Sequence, residues 1–243
     1  MTLSIVACDV EAGVVGCAVT SCVIAASRRI LHVRPGVGAA VSQASGLITW
    51  GDDVLDAMAQ GASPADAIAP FHRDDSQLAA VSFDGDVAAH TGDACTTHRG
   101  HRVDDGVSAQ CNMAVRDDAW DRMVDAFSTT VGPLAERLVA ALAACGGDVR
   151  GWQAAGVIVT GRKALGGWPT EPHVDLRVDD SRDPVGDLDR LLRLHRAHNE
   201  MRSGASPTRL RELLQQHPGD PLLERDAARA EARAANEERS RSD

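Results

Sequence analysis

The sequence predicts an α/β (α+β) protein in which antiparallel sheets are covered by pairs of helices. Along the chain come strands, two helices, strands, two helices, strands and a helix, without regular alternation of strand and helix. Hairpins join several of the predicted strands, and hairpins produce antiparallel pairing, whereas parallel strands need crossover connections. A four-layer α-β-β-α sandwich followed by a C-terminal helical tail satisfies this order of elements.

The first part of the chain contains three predicted strands and two helices. Residues 3–8 and 14–20 are short β-branched runs on either side of a turn. Residues 37–43 form a third strand that is rich in small side chains. The apolar spacing then becomes helical over residues 51–60, and Ser63 followed by proline is a typical start of a second helix.

Further along the chain, predicted strands are again followed by predicted helices. Asp84-Gly85 is a strong hairpin signal between two apolar runs. The remaining elements are predicted strands at 78–83, 86–91, 106–111, 153–160 and 173–179, and predicted helices at 117–129, 133–145 and 184–199.

The composition changes near residue 200, which predicts two parts. Residues 1–200 form one catalytic-type domain. Residues 201–243 form a charged helical tail that we expect to be partly disordered, because residues 222–243 lack an apolar stripe after Leu223. This tail could be a docking element or a dimer strap.

Charge and composition exclude several classes of protein. The formal net charge is −10, so the surface repels phosphate backbones and we expect no nucleic-acid partner. No apolar run reaches the roughly 18–20 residues that span a bilayer, and no signal peptide is visible, so we expect a cytoplasmic protein without a membrane partner. The six cysteines form no C-x-x-C pair, and we interpret them as reduced and structural.

Thr2 is the first candidate catalytic residue. Removal of Met1 would give Thr2 a free α-amine beside its hydroxyl. This amine has a reference pKa of about 7.7–8.0, so a useful fraction is neutral near pH 7. It can accept the hydroxyl proton directly or through water, which makes Thr2 a nucleophile and a base at once. Many cytosolic proteins also begin Met-Thr without any catalytic role.

Several short motifs resemble a known family. The chain is similar to domain of unknown function 1028, which is assigned by fold to the N-terminal-nucleophile hydrolases, and the resemblance covers residues 1 to about 197. No established activity comes with it. The matching segments are Thr2–Ala7, Gly36–Gln43, Ala89–Gly92, Gln110–Met113 and Val174–Asp180.

The resemblance implies roles for particular residues. Thr2 would attack a carbonyl, and Asn112 or Gln110 would hold the oxyanion, unless these amides only stabilise a turn. Arg34 corresponds to the cation that lowers the nucleophile's pKa in proteasome-like enzymes, or is a surface arginine. The expected substrate-binding residues are Ser4, Ser21, Gln43, His90, Gln110 and Asp175.

The function that we predict is hydrolysis of a carbon–nitrogen bond, amide or ureido, in a small molecule, by a homo-oligomer that needs no cofactor or metal. One alternative is a non-catalytic member that binds a metabolite or a partner protein. Another is a metal-dependent hydrolase that uses His98, His101 and a carboxylate. For Asp175, the alternative to a role in the site is an ion pair with Arg177 on the same strand face.

Overall fold

The computed structural model describes residues 2–147, 150–163 and 173–242. Its contacts divide the chain into two units, Met1–Asp189 and Arg190–Asp243. The division falls within a helix and before the boundary predicted at residue 200.

The described strands form two sheets, and every strand pair is antiparallel. The strands are β1 (Thr2–Asp9), β2 (Val14–Ser21), β3 (Leu31–Arg34), β4 (Gly38–Ala44), β5 (Ser76–Ser82), β6 (Val87–Thr91), β7 (Gly100–Asp104), β8 (Val107–Asn112), β9 (Ala154–Gly161) and β10 (Val174–Val178). One sheet has the order β10-β9-β2-β1-β8-β7, and the other has the order β3-β4-β5-β6.

Helices cover the outer face of each sheet. The described helices are α1 (Ser27–Ile30), α2 (Thr49–Ala59), α3 (Pro64–Ile68), α4 (Ala119–Thr129), α5 (Leu134–Ala144), α6 (Pro184–Arg202), α7 (Pro207–Gln216) and α8 (Pro221–Ser242). The α4–α5 pair packs on the six-stranded sheet, the α2–α3 pair packs on the four-stranded sheet, and the two sheets face each other through β1, β2, β4 and β5. The prediction of a mixed fold with two antiparallel sheets is confirmed.

The space between the sheets is apolar over most of its length. Alternate residues of a strand point to the same face, so Val6 and Cys8 of β1 point towards the other sheet. They pack with Val19 on β2 and with Val41 and Val81 on β4 and β5. This burial of β-branched side chains supplies the main driving force for joining the sheets.

The second unit is helical and has a small core of its own. It contains α7, and α8 follows it after a turn. Its core combines residues of α6, α7 and α8, namely Ala197, Met201, Leu210, Leu213, Leu223 and Ala227. Among the described helices of the whole chain, none combines the length and apolarity needed to cross a bilayer.

The six cysteines are free thiols, and all but Cys22 are buried. Burial raises the pKa of each of four thiols, those of Cys8, Cys17, Cys95 and Cys111. Only the thiolate is nucleophilic, so we expect these groups to be inert in the native protein.

We therefore expect one fast equivalent of reaction with a thiol-specific disulfide reagent at pH 8, located at the half-buried Cys22. A Cys22→Ser variant should lose this phase, and the other thiols should react only after unfolding. Two or more fast equivalents in the native wild-type chain would contradict this expectation.

Candidate functional site

Polar side chains replace the apolar ones at one end of the space between the sheets. Thr2 and Ser4 lie on the same face of β1 as Val6, but each contacts a hydrogen-bonding side chain instead of a hydrocarbon. We call the buried polar set at this end the polar cluster. It consists of Thr2, Ser4, Ser21, Gln43, Gln77, Gln110 and Asn112, each of which is at most 4% exposed.

Strand register brings the members of the polar cluster together. Thr2 pairs with Ser21 on β2 and with Asn112 on β8. Two residues further along β1 and β8, Ser4 pairs with Gln110. On the facing sheet, Gln43 of β4 pairs with Gln77 of β5. The cluster therefore draws on both sheets, although its residues are far apart in the sequence.

Side-chain hydrogen bonds join the two sheets at this end. The Ser4 hydroxyl donates to Gln43 Oε1 at 2.7 Å and accepts from Gln110 Nε2 at 2.8 Å. Gln43 Nε2 donates to the backbone carbonyl of Thr2 at 3.3 Å. Because buried polar groups need partners, these contacts fix both the spacing of the sheets and the position of the Thr2 backbone.

Gln77 lies at the centre of the network, and its side chain is fully buried. Its Oε1 accepts from Gln43 Nε2 at 2.5 Å and from Asn112 Nδ2 at 2.9 Å. Its Nε2 donates to Thr91 Oγ1 at 2.8 Å and also lies within 3.2 Å of the backbone carbonyls of Gly100 and Cys111. One amide thus connects four strands.

The side chain of Thr2 is 4% exposed, and its described partners are uncharged. Its Oγ1 lies 3.5 Å from Ser21 Oγ, which in turn accepts from the Val23 N–H. The Asn112 side chain occupies the neighbouring position on β8. A hydroxyl in this setting has hydrogen-bonding neighbours but no cation or carboxylate in direct contact among them.

A side branch of the network leads to a histidine. Thr91 Oγ1, which accepts from Gln77, lies 2.8 Å from His101 Nδ1. Burial, with a smaller contribution from the nearby His90, lowers the pKa of His101. Its imidazole is therefore neutral near pH 7 and can exchange donor and acceptor roles with the threonine hydroxyl.

Strained backbone occurs at the ends of two strands that carry the polar cluster. The described non-glycine residues with positive φ are Ala25, Ala44, His98 and Met113. Ala44 directly follows Gln43, and Met113 directly follows Asn112. Such residues cost on the order of 1–3 kcal/mol each and tend to occur at functional sites.

Relieving one of these strains should stabilise the protein. Ala44 is exposed and has a φ of +61°, so we expect Ala44→Gly to raise the free energy of unfolding by about 0.5–1 kcal/mol in urea titrations. The matched control is Ala143→Gly on the exposed face of α5, which should lower it by up to about 1 kcal/mol. Equal effects of the two changes would show that the φ at Ala44 stores no strain.

The structure brings six of the nine predicted site residues into the polar cluster: Thr2, Ser4, Ser21, Gln43, Gln110 and Asn112. It places Arg34, His90 and Asp175 elsewhere. Arg34 pairs with Gly38, at the opposite end of β4 from Gln43, and its guanidinium donates to Asp56 at 2.6 Å.

His90 and Asp175 each have other partners. His90 precedes Thr91 on β6 and therefore points to the opposite face, where its ring stacks on His72 at a centroid distance of 4.1 Å. Asp175 lies on the edge strand β10, three strands away from β1, and its Oδ1 is 3.5 Å from Arg177 Nε. This contact is the alternative that we predicted for Asp175.

Two members of the network, Gln77 and Thr91, were not among the predicted site residues. A signal for Gln77 exists, since it is the polar residue that opens the alternating apolar face of β5. His98, one of the two histidines of the metal alternative, is hydrogen-bonded to Asp117. Among the described residues, no group of three or more His, Cys, Asp or Glu side chains is arranged to hold a metal ion.

Comparison with known proteins gives a family but no activity. The chain belongs to the family of unknown function DUF1028, whose model matches residues 2–188. A crystal structure of a family member from Silicibacter pomeroyi is similar over 79% of this chain and 88% of that chain, with 28% identity and a TM-score of 0.71. No curated protein matches the chain.

Proposed function

We propose that the chain hydrolyses a carbon–nitrogen bond, amide or ureido, in a small molecule, with Thr2 as an N-terminal nucleophile. The observation that carries this proposal is the position of Thr2 at the start of a buried strand, inside the polar cluster. The order of layers, helices–sheet–sheet–helices, also fits the N-terminal-nucleophile hydrolase type of sandwich.

The reaction requires cleavage of the chain directly before Thr2. The free α-amine then takes the proton of the Thr2 hydroxyl as Oγ1 attacks the substrate carbonyl. The amine returns the proton to the departing nitrogen, the carbon–nitrogen bond breaks, and an ester on Thr2 remains. Water, activated by the same amine, hydrolyses the ester and releases the acid product. No cofactor or metal is needed.

The neighbouring residues would take supporting roles. Asn112 lies beside Thr2 in the sheet, and one amide hydrogen is used by Gln77, so the other can be offered to the oxyanion. Gln43 holds the Thr2 carbonyl and is a positioning residue. Arg34 has no part in this proposal, because it lies at the other end of β4. The α-amine is thus the base, and no cation among the described residues contacts Thr2.

A second candidate is a non-catalytic member that binds a metabolite or a partner protein in the same place. The uncharged surroundings of Thr2 favour it, since many hydrolases place a charged group next to the nucleophile. Saturable binding without turnover would identify this alternative. A cytoplasmic location, a homo-oligomer and the absence of nucleic-acid partners stay predictions.

The test compares two forms of the chain that differ only before Thr2. In one form a specific protease leaves Thr2 as the first residue, and in the other a single glycine precedes it. Both are assayed against a panel of small amides and ureides, and intact mass verifies each N-terminus. We expect at least about a hundredfold higher turnover with the free Thr2, because the preceding peptide bond removes the base. Equal turnover of the two forms would contradict the proposal.

A further inference from the structure

A cavity of about 640 Å³ opens beside the polar cluster. Its wall includes Thr91 and His101, which are bonded to each other and connected through Gln77 to the polar cluster. The remaining wall residues that matter here are Asp93, Thr97, Arg99 and Trp120. Hydrogen bonds therefore connect the wall of the cavity to the polar cluster, and no role has been assigned to the cavity.

Two residues of opposite charge, Arg99 and Asp93, lie in this wall. Neither Arg99 nor Asp93 forms an ion pair or a side-chain hydrogen bond within the described parts of the chain. The other acidic group in the wall, Asp117, is already bonded to His98. A ligand that carries one positive and one negative group can satisfy both residues at once, whereas a ligand with a single charge is attracted by one and repelled by the other.

The distance from Thr2 limits the size of such a ligand. Gly100, next to Arg99, pairs with Cys111 on β8, and Cys111 pairs with Leu3 on β1. Two strand spacings of 4.7–4.9 Å place this wall roughly 10 Å from the start of β1. An amide of about five bonds, with its carbonyl at Thr2, can reach the side chain of an arginine that directly precedes the far strand.

We propose that this cavity holds the α-amino-acid end of the substrate, with the carboxylate on Arg99 and the ammonium group on Asp93. The inference rests on the proposed function and makes the substrate a zwitterionic amide. Arg99 is suited to a carboxylate because its guanidinium offers two parallel donors. The Thr91 and Thr97 hydroxyls add hydrogen-bonding groups, and the ring of Trp120 attracts the ammonium group.

The test measures binding by calorimetry with a Thr2→Val variant, which cannot turn the probes over. The zwitterionic probes are L-glutamine and L-asparagine. Each is compared with its N-acetyl derivative, which is only an anion, and with its α-carboxamide, which is only a cation. We expect at least one zwitterion to bind ten times or more tightly than its two derivatives.

Two variants of the wall test which residue binds which charged group of the ligand. Arg99→Gln should weaken binding of the zwitterion about tenfold and tighten binding of the cationic probe, because the repelling charge is gone. Asp93→Asn should weaken binding of the zwitterion to a similar extent and tighten binding of the anionic probe. Arg182→Gln and Asp53→Asn, exposed changes elsewhere, should leave every affinity unaltered.

Equal affinities of the three probe types, absence of binding of all of them, or insensitivity to both wall variants would overturn the inference. If the zwitterion binds as expected but the processed wild-type chain hydrolyses no amide, the proposed hydrolysis fails while the binding site stands.

Discussion

Replacing Thr2 by valine should lower the turnover of the processed chain by at least about a thousandfold, since the nucleophilic oxygen is lost while the shape is kept. Thr2→Ser keeps the hydroxyl and the α-amine, and we expect its turnover to stay within about tenfold of wild type. The measurement is kcat/KM on the best amide or ureide of the panel, with each variant processed to begin at residue 2.

The valine variant should keep the stability of the wild-type chain to within about 1 kcal/mol, because only a 3.5 Å contact with Ser21 is removed. Circular dichroism and urea unfolding provide this control. A valine variant that folds normally and still turns over at more than a tenth of the wild-type rate would remove Thr2 from the chemistry.

Replacing Gln77 by leucine should destabilise the fold by roughly 3–5 kcal/mol, because several buried groups lose a partner at once and each costs about 1–3 kcal/mol. The amides of Gln43 and Asn112 lose an acceptor, and the carbonyls of Gly100 and Cys111 lose a donor. Urea unfolding followed by circular dichroism measures this difference.

The matched control for this change is Gln60→Leu, at an exposed position after α2. We expect its effect to stay within about 0.5 kcal/mol. If Gln77→Leu costs no more than this control, the hydrogen bonds of Gln77 do not hold the polar ends of the sheets together.

Much of the fold follows from local patterns in the sequence. The run Leu3–Cys8, the third strand at 37–43 and the Asp84-Gly85 hairpin lie where β1, β4 and the β5–β6 turn are found. Two strands were missed. β3 (Leu31–Arg34) is only four residues long, and β7 (Gly100–Asp104) is a mostly exposed edge strand in which neighbouring strands, and not an apolar pattern, supply the pairing.

The site could be predicted in part. Recognisable strands end at or near Thr2, Gln43 and Asn112, and antiparallel pairing brings such strand ends together at one end of the sheets. Arg34 was chosen by its distance along the chain, which cannot tell one end of a strand from the other. Its place opposite Gly38 depends on the β3–β4 register, and this register is known only once the sheet is assembled.

Gln77 was missed for a related reason. A lone glutamine at the start of an apolar strand is common, and its importance arises only when four strands bring their amides, hydroxyls and carbonyls within reach of it. Contacts of this kind depend on tertiary packing between two sheets. Local propensity and spacing contain no information about them.

The nucleophilic role of Thr2 is tested most directly by covalent labelling. The chain that begins at Thr2 is incubated with a small β-lactone, whose ring opens when a hydroxyl attacks its carbonyl, so that the protein gains the mass of one lactone as an ester. Peptide mass spectrometry then locates the ester. We predict a single label on Thr2 and none on the Thr2→Val variant. A label on Ser4, Ser21 or another residue, or no label on a chain with a verified free Thr2, would contradict the account.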